Sequence, residues 1–113
     1  MRRTIVAAIS LVLAGSALAQ GSFPSRPVTV VVGFAPGGGT DITARTISKK
    51  LSEYLGQQVI VENRAGAGGV IATHLVARAN PDGHTILLGN VGSLAVAPHL
   101  NAKLPYAPQR ALA

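Results

Sequence analysis

The run Val28-Thr29-Val30-Val31-Val32-Gly33-Phe34 constrains this chain more than any other segment, because it is β-branched and almost unbroken in its hydrophobicity. A strand with one wet face alternates apolar and polar residues, so a continuous run reads as a strand covered on both faces, the environment of a parallel sheet. The next residues agree. Ala35-Pro36-Gly37-Gly38-Gly39 is a turn, Thr40 or Asp41 an N-cap, and Ala44, Ile47, Leu51, Tyr54 and Leu55 recur on one side of a helix that Gly56 ends. The pattern then repeats. Gln58 to Glu62 reads as a second strand, Asn63 to Gly69 as a Gly-rich loop, and Val70 to Ala79 as a second helix burying Ile71, Leu75 and Val76. Pro81-Asp82-Gly83 is a turn and His84 to Gly89 a third strand. The order β-α-β-α-β with short connections specifies an α/β fold, a three-layer parallel sheet built by right-handed crossovers. Past Val91 the pattern weakens: Ser93 to Leu100 starts a third helix, broken at Pro98, and Leu104 to Ala113 carries two prolines and no clear period. Three strands with open edges are an incomplete sheet.

The first residues stand outside this fold. Met1-Arg2-Arg3 is a positive start, Ile5 to Leu13 an apolar run, and Ala17-Leu18-Ala19 an A-x-A site, the layout of a cleaved secretory signal over residues 1–19. The run is far shorter than the roughly 20 residues that span a bilayer, so no direct membrane insertion is expected after cleavage. Cleavage after Ala19 leaves 94 of the 113 residues, at most one small domain over 20–113. Loss of Arg2 and Arg3 lowers the net charge from +6 to +4. Only Lys49 and Lys50 are adjacent and aromatics are scarce, which excludes a nucleic-acid footprint while leaving a general attraction for anions. Cysteine is absent, so there is no thiol chemistry, no Cys-based metal site and no disulfide.

In a parallel sheet every loop running from a strand to a helix leaves at the carboxyl edge, where ligands of open α/β sheets bind. Ala35–Asp41, Asn63–Gly69 and Asn90–Ser93 therefore gather there. Glycine lets backbone approach a ligand, and a helix start offers unpaired N–H groups with a partial positive charge. Each such end is worth roughly 0.3–1 kcal/mol toward a nearby anion, enough for two of them to orient a carboxylate weakly to moderately. The plainer alternative is that these glycines make tight turns and caps only, and Asp41 is more often a cap than a ligand group. A phosphate loop would need Gly-Lys-Ser/Thr where Gly39-Thr40-Asp41 stands, and a dinucleotide fingerprint from Gly37 would need a small residue at Ile42, so no cofactor is expected. Gly92-Ser93-Leu94 lacks the nucleophile elbow, the four acidic residues form no acid/base pair, and His74, His84 and His99 lack metal-ligand spacing. No catalytic residue and no metal site are expected. The histidines read as surface or boundary residues, and Lys49, Lys50 and Glu53 as a solvated face with one Lys–Glu pair.

Several segments together resemble one family, the tripartite tricarboxylate transporter receptors (TctC), also called the Bug family of periplasmic solute-binding proteins. The resemblance is carried by Phe23-Pro24-Ser25-Arg26-Pro27-Val28, Gly33 to Asp41, Val61 to Gly69, Ala79-Asn80-Pro81-Asp82-Gly83-His84-Thr85 and Lys103-Leu104-Pro105-Tyr106, in family order and spacing. It implies a hinged, two-lobed clamshell that closes on a small carboxylate, such as a di- or tricarboxylate, in the periplasm and delivers it to a two-component membrane permease. It further implies that Phe34, Ala35, Pro36, Gly37, Gly38, Gly39, Thr40 and Asp41 cradle a ligand carboxylate through backbone groups and water. Asn63, Gly68, Gly69 and Asn90 would line the same side. Members continue well beyond Tyr106, usually with an acidic Asp-Pro segment, whereas Ala107-Pro108-Gln109-Arg110 leads to the end here. The expectation is a first lobe whose second lobe is missing, holding one wall of the pocket and binding solute weakly or not at all. The alternative is an exported α/β remnant, or a partner-binding module that pairs through its uncovered sheet.

Overall fold

The computed structural model describes residues 21–112, so the secretory signal expected over residues 1–19 lies outside the described residues. Three parallel strands form one sheet: β1 (Val28–Val32), β2 (Val59–Asn63) and β3 (Thr85–Leu88), in the order β2-β1-β3. The continuous valine run is thus the central strand, with Val28 facing Val59 and Val30 facing both Val61 and Ile86. Hydrogen-bonded on both edges and covered on both faces, it buries Val28, Val30, Val31 and Val32.

Going from β1 to β2 moves one way across the sheet and from β2 to β3 the other, so right-handed crossovers put the two connecting helices on opposite faces. Helix α1 (Gly39–Leu55) covers the face carrying Val28, Val30 and Val32, where Ala44 completes the core with Val59. Helix α2 (Val70–Ala77) covers the other face, its Ala72 packed close to Gly33. Gly56 ends α1 in the left-handed conformation, its N–H donating to the carbonyl of Ser52, as the C′ reading expects. The expected three-layer α/β order is the one observed.

Several local expectations are corrected. The helix starts at Gly39 with Gly38 as N-cap and no side-chain cap, so neither Thr40 nor Asp41 occupies that position. Of the expected stripe, Ala44 is buried and Leu51 and Leu55 pack against the core, but Ile47 and Tyr54 are 51% and 88% exposed, because the buried line runs through Asp41, Ala44 and Ser48. Small side chains let the helix sit close to the sheet, and the Ser52 hydroxyl there accepts the Val59 N–H and donates to the Ser48 carbonyl, both at 2.9 Å. In α2, Ile71 is 51% exposed and Leu75 also faces outward, while Ala72 and Thr73 are buried. Contact between Gly69 and Gly33 fixes the start of this helix and turns Ala72 inward.

The third helix, α3, is also different: a π-helical turn Gly92–Val96 passes into an α-helical turn Ala97–Leu100, and Pro98 does not break it. Pro98 is the second residue of the α-helical turn, directly after the π-helical one. A last turn, α4, spans Pro108–Ala111. His84 is buried rather than at the surface; its Nε2 accepts the Ser25 N–H at 3.2 Å and its ring meets Phe23 edge-on with centroids 5.0 Å apart. This contact closes the lead-in against the base of β3.

Candidate functional site

The strand ends are level. Val32 lies opposite both Asn63 and Leu88, so the loops leaving β1, β2 and β3 emerge at one edge of the sheet. Those after β1 and β3 depart in opposite directions, which makes the space between them the topological switch point of the sheet. The loop after β2 passes back over the end of β1 to reach α2. Gly33 permits this: a Cβ there would stand 2.8 Å from the Cα of Gly69. Gly69 is itself hemmed in, since a Cβ on it would lie 3.2 Å from the Ser93 Cβ and 3.5 Å from the Phe34 ring. Phe34, Gly69 and Ser93, one from each loop, therefore meet at one point of the rim.

The first loop presents backbone. Ala35, Pro36, Gly37, Gly38 and Gly39 are exposed and Phe34 and Thr40 half-buried. With no side-chain cap on α1, the N–H groups of its first turn lack intrahelical acceptors and face the rim. Asp41 is the contrast, only 3% exposed. Its Oδ2 accepts the Gly37 N–H and the Arg45 Nε–H, each at 2.9 Å, and its Oδ1 accepts the Asn63 amide at 2.9 Å. The same amide donates to the Phe34 carbonyl at 3.1 Å, and Arg45 Nη2 donates to Asn63 Oδ1 at 3.1 Å. Hydrogen bonding by Arg45, then by the Gly37 N–H and the Asn63 amide, holds the Asp41 carboxyl well below the usual carboxylate range. Asp41 and Asn63 thus brace the β1 loop against β2, and their polar atoms are engaged in doing so.

The second and third loops are built the same way. Gly66, Ala67, Gly68 and Gly69 all have positive φ, and Gly69 begins α2 with no side-chain cap. Gly68 is exposed and Gly69 buried. Thr73 closes the turn by donating its hydroxyl to the Gly69 carbonyl at 2.9 Å. Asn90 Oδ1 accepts the Ser93 N–H at 3.0 Å, which makes Asn90 the brace of the third loop, and the buried Tyr106 hydroxyl donates to the Ser93 carbonyl at 2.9 Å.

Of the twelve candidate positions, Phe34 to Gly38, Gly68, Gly69 and Asn90 lie in these loops, while Gly39, Thr40 and Asp41 form the first turn of α1 and Asn63 ends β2. Residue-by-residue reading missed Arg45, Ser93 and Tyr106 as parts of the site; only Arg45 had a visible signal, four residues after Asp41 on one helix face. No group of three metal-ligating side chains occurs among the described residues. A cavity of about 620 Å³ lies elsewhere, along the open edge of β3 between Val76, Ile86, Leu94 and Leu112. Its lining carries no charged residue, so it does not suit an anion.

A parallel sheet whose glycine turns and uncapped helix starts converge at the switch point defines an α/β domain of the kind that receives ligands at its carboxyl rim. The profile of the tripartite tricarboxylate transporter family receptor matches residues 43–113, and the chain belongs to that family of periplasmic solute-binding receptors, which are not enzymes. It is 49% identical over 112 residues to a protein from the tcbD-tcbE intergenic region of Pseudomonas sp. (strain P51), covering 96% of this chain and 33% of that protein. The periplasmic binding protein BugD superposes with a TM-score of 0.75 and 47% identity over 79% of this chain and 29% of its own. MatC from Rhodopseudomonas palustris with bound malate gives 0.75 and 48% over 79% of this chain and 30% of its own. The chain spans a third or less of the length of the curated relatives it matches, from 33% down to 20%.

Proposed function

We propose that this chain forms one wall of a periplasmic receptor that captures a small carboxylate and passes it to a tripartite transporter through a two-component permease. The observation that carries the reading is the meeting of Phe34, Gly69 and Ser93 at a rim where two helices begin without side-chain caps. A carboxylate accepts hydrogen bonds from such backbone N–H groups and gains from the two helix dipoles. Membership of a receptor family and the malate in MatC support a carboxylate as the ligand. Export through the sequence of residues 1–19 belongs to the same reading. The candidates divide into two roles: the backbone of Gly38, Gly39, Thr40 and Gly68 is left to face the ligand, while Gly37, Gly69, Asp41, Asn63 and Asn90 are engaged in holding the loops.

Titration of the ¹⁵N-labelled chain with malate, citrate and other di- and tricarboxylates tests this. The expected result is a saturable shift of the Gly37–Asp41, Gly68–Gly69 and Asn90–Ser93 amides, with affinity weaker than micromolar because a single wall encloses little of the solute. Equal response to uncharged amide analogues would overturn the carboxylate reading, and sub-micromolar binding would overturn the one-wall reading. A second reading, a module that pairs through its sheet, is favoured by the open edge of β3 and the apolar cavity beside it. One defined dimer in size-exclusion chromatography, with no response to carboxylates, would select it.

A further inference from the structure

We infer that Arg45 keeps the rim receptive to anions by neutralising Asp41 and holding its carboxylate away from the first turn of α1. This inference rests on the proposed capture of a carboxylate at that rim. Asp41 is the third residue of a helix whose start is the anion-accepting part of the β1 loop. An unpaired carboxylate at that place would act on the site in two ways. Its charge would oppose the ligand's charge, and its oxygens would fold back onto the unpaired first-turn N–H groups, as acidic residues in a first turn do. The chain would then carry a built-in competitor for its own ligand.

The geometry shows what prevents this. Arg45 is one helical turn further on and lies on the β2 side of the loop, where its Nε donates to Asp41 Oδ2 and its Nη2 to Asn63 Oδ1. Asn63 in turn donates to Asp41 Oδ1, so each carboxylate oxygen has a partner on the β2 side, while Oδ2 also accepts the Gly37 N–H ahead of the helix and neither oxygen is bonded to a first-turn N–H. A guanidinium can hold this arrangement because its donors are fixed in one plane and it accepts no hydrogen bond. Asp41 is buried while Arg45 is 54% exposed on its side chain, so the cation remains hydrated as it neutralises the anion. The low carboxyl pKa of Asp41, for which the Arg45 hydrogen bond is the largest cause, agrees with a pair that stays ionised. Among the described residues no other Lys or Arg is hydrogen-bonded to Asp41.

Malate affinity and amide hydrogen exchange are to be measured for the full chain and for Arg45→Ala, Arg45→Lys, Lys49→Ala and the double variant Arg45→Ala/Asp41→Asn. Arg45→Ala should bind malate about tenfold more weakly, the size of a favourable charge effect at a helix end. Arg45→Lys should recover most of the loss because charge is kept, and the double variant should recover because the competing carboxylate is gone. A role confined to packing would not be rescued by removing the second partner. Lys49→Ala removes equal charge from the same helix and should change affinity by less than about twofold, since an exposed charge there is screened. Loss in the double variant equal to that in Arg45→Ala, or a tenfold loss in Lys49→Ala, would overturn the inference. Ligand-free exchange separates this result from failure of the carboxylate reading. Slowed exchange of the Gly38, Gly39 and Thr40 amides in Arg45→Ala would show Asp41 folding back even if wild type bound no malate, and unchanged exchange would overturn the inference.

Discussion

Replacing Gly33 with alanine tests the crossing of two backbones on which the rim is built. The added Cβ would stand 2.8 Å from the Cα of Gly69, 3.3 Å from the Ala72 Cβ and 3.4 Å from the Gly69 carbonyl oxygen. Carbon atoms prefer about 3.5–4.0 Å, so the chain at Gly69 must retreat by several tenths of an ångström. All three neighbours are backbone or a methyl group close to it, with no flexible side chain to absorb the change. Overpacking of this kind costs about 1–3 kcal/mol. In a domain of this size that lowers Tm by roughly 5–20 °C. Gly38→Ala is the matched control, because φ is −77° there and the nearest atom to its Cβ, the Ala35 oxygen, is 3.5 Å away. Its cost should stay below about 1 kcal/mol, the advantage of glycine over alanine at an N-cap. Urea unfolding of both variants, monitored by far-UV circular dichroism, gives the comparison. Equal midpoints would refute the reasoning, since they would mean that Gly69 does not rest on β1.

Three further outcomes rest on single contacts. Tyr106→Phe removes the buried hydrogen bond to the Ser93 carbonyl and should cost about 1–3 kcal/mol in the same unfolding assay, because that carbonyl loses its donor. Ser48→Ala should leave stability unchanged or raise it by up to about 1 kcal/mol, since the Ser48 hydroxyl is buried under α1 without a hydrogen-bond partner. The Asp82 pKa is lowered to about 2, first by the His84 N–H and then by Arg26, so its folded value lies below its unfolded one. The stability it contributes is complete above about pH 4 and is lost as pH falls toward 2; Arg26→Ala should shift that loss upward, read by thermal melts between pH 2 and 6.

How much of this was legible in the sequence depends on whether an effect is local. The succession of strands and helices and the parallel sheet derive from the unbroken valine run of β1 and from helix patterns of the right length between strands, and both were read correctly. The common rim was legible too, because parallel topology alone sends the three glycine loops to one edge. The face of α1 was legible in part, since Ala44, Leu51 and Leu55 do meet the core, and that of α2 was not. A hydrophobic period nominates Ile47, Tyr54 and Ile71, yet the helices sit with Ala44, Ser48, Ala72 and Thr73 inward, since close approach to a three-stranded sheet rewards small side chains. His84 was misplaced for a related reason: its burial comes from Phe23 and Ser25, about sixty residues earlier in the chain.

The rim makes the same distinction between local and assembled features. In the proposed capture of a carboxylate its donors are peptide N–H groups, which glycine spacing announces and which are chemically alike for every carboxylate. The polar side chains that could tell one carboxylate from another are turned to other work. Asp41 is tied to Gly37, Arg45 and Asn63, Asn63 also to Phe34, and Asn90 to Ser93. Bracing the loops costs these groups their freedom to address a ligand, because a buried donor or acceptor released from its partner carries a penalty of about 1–3 kcal/mol. As the proposed binding wall, residues 34–41, 63–69 and 90–93 would therefore recognise that a solute is anionic and fix the position of its carboxylate. Discrimination by length or substitution has to act on parts of the solute that these backbone groups do not reach.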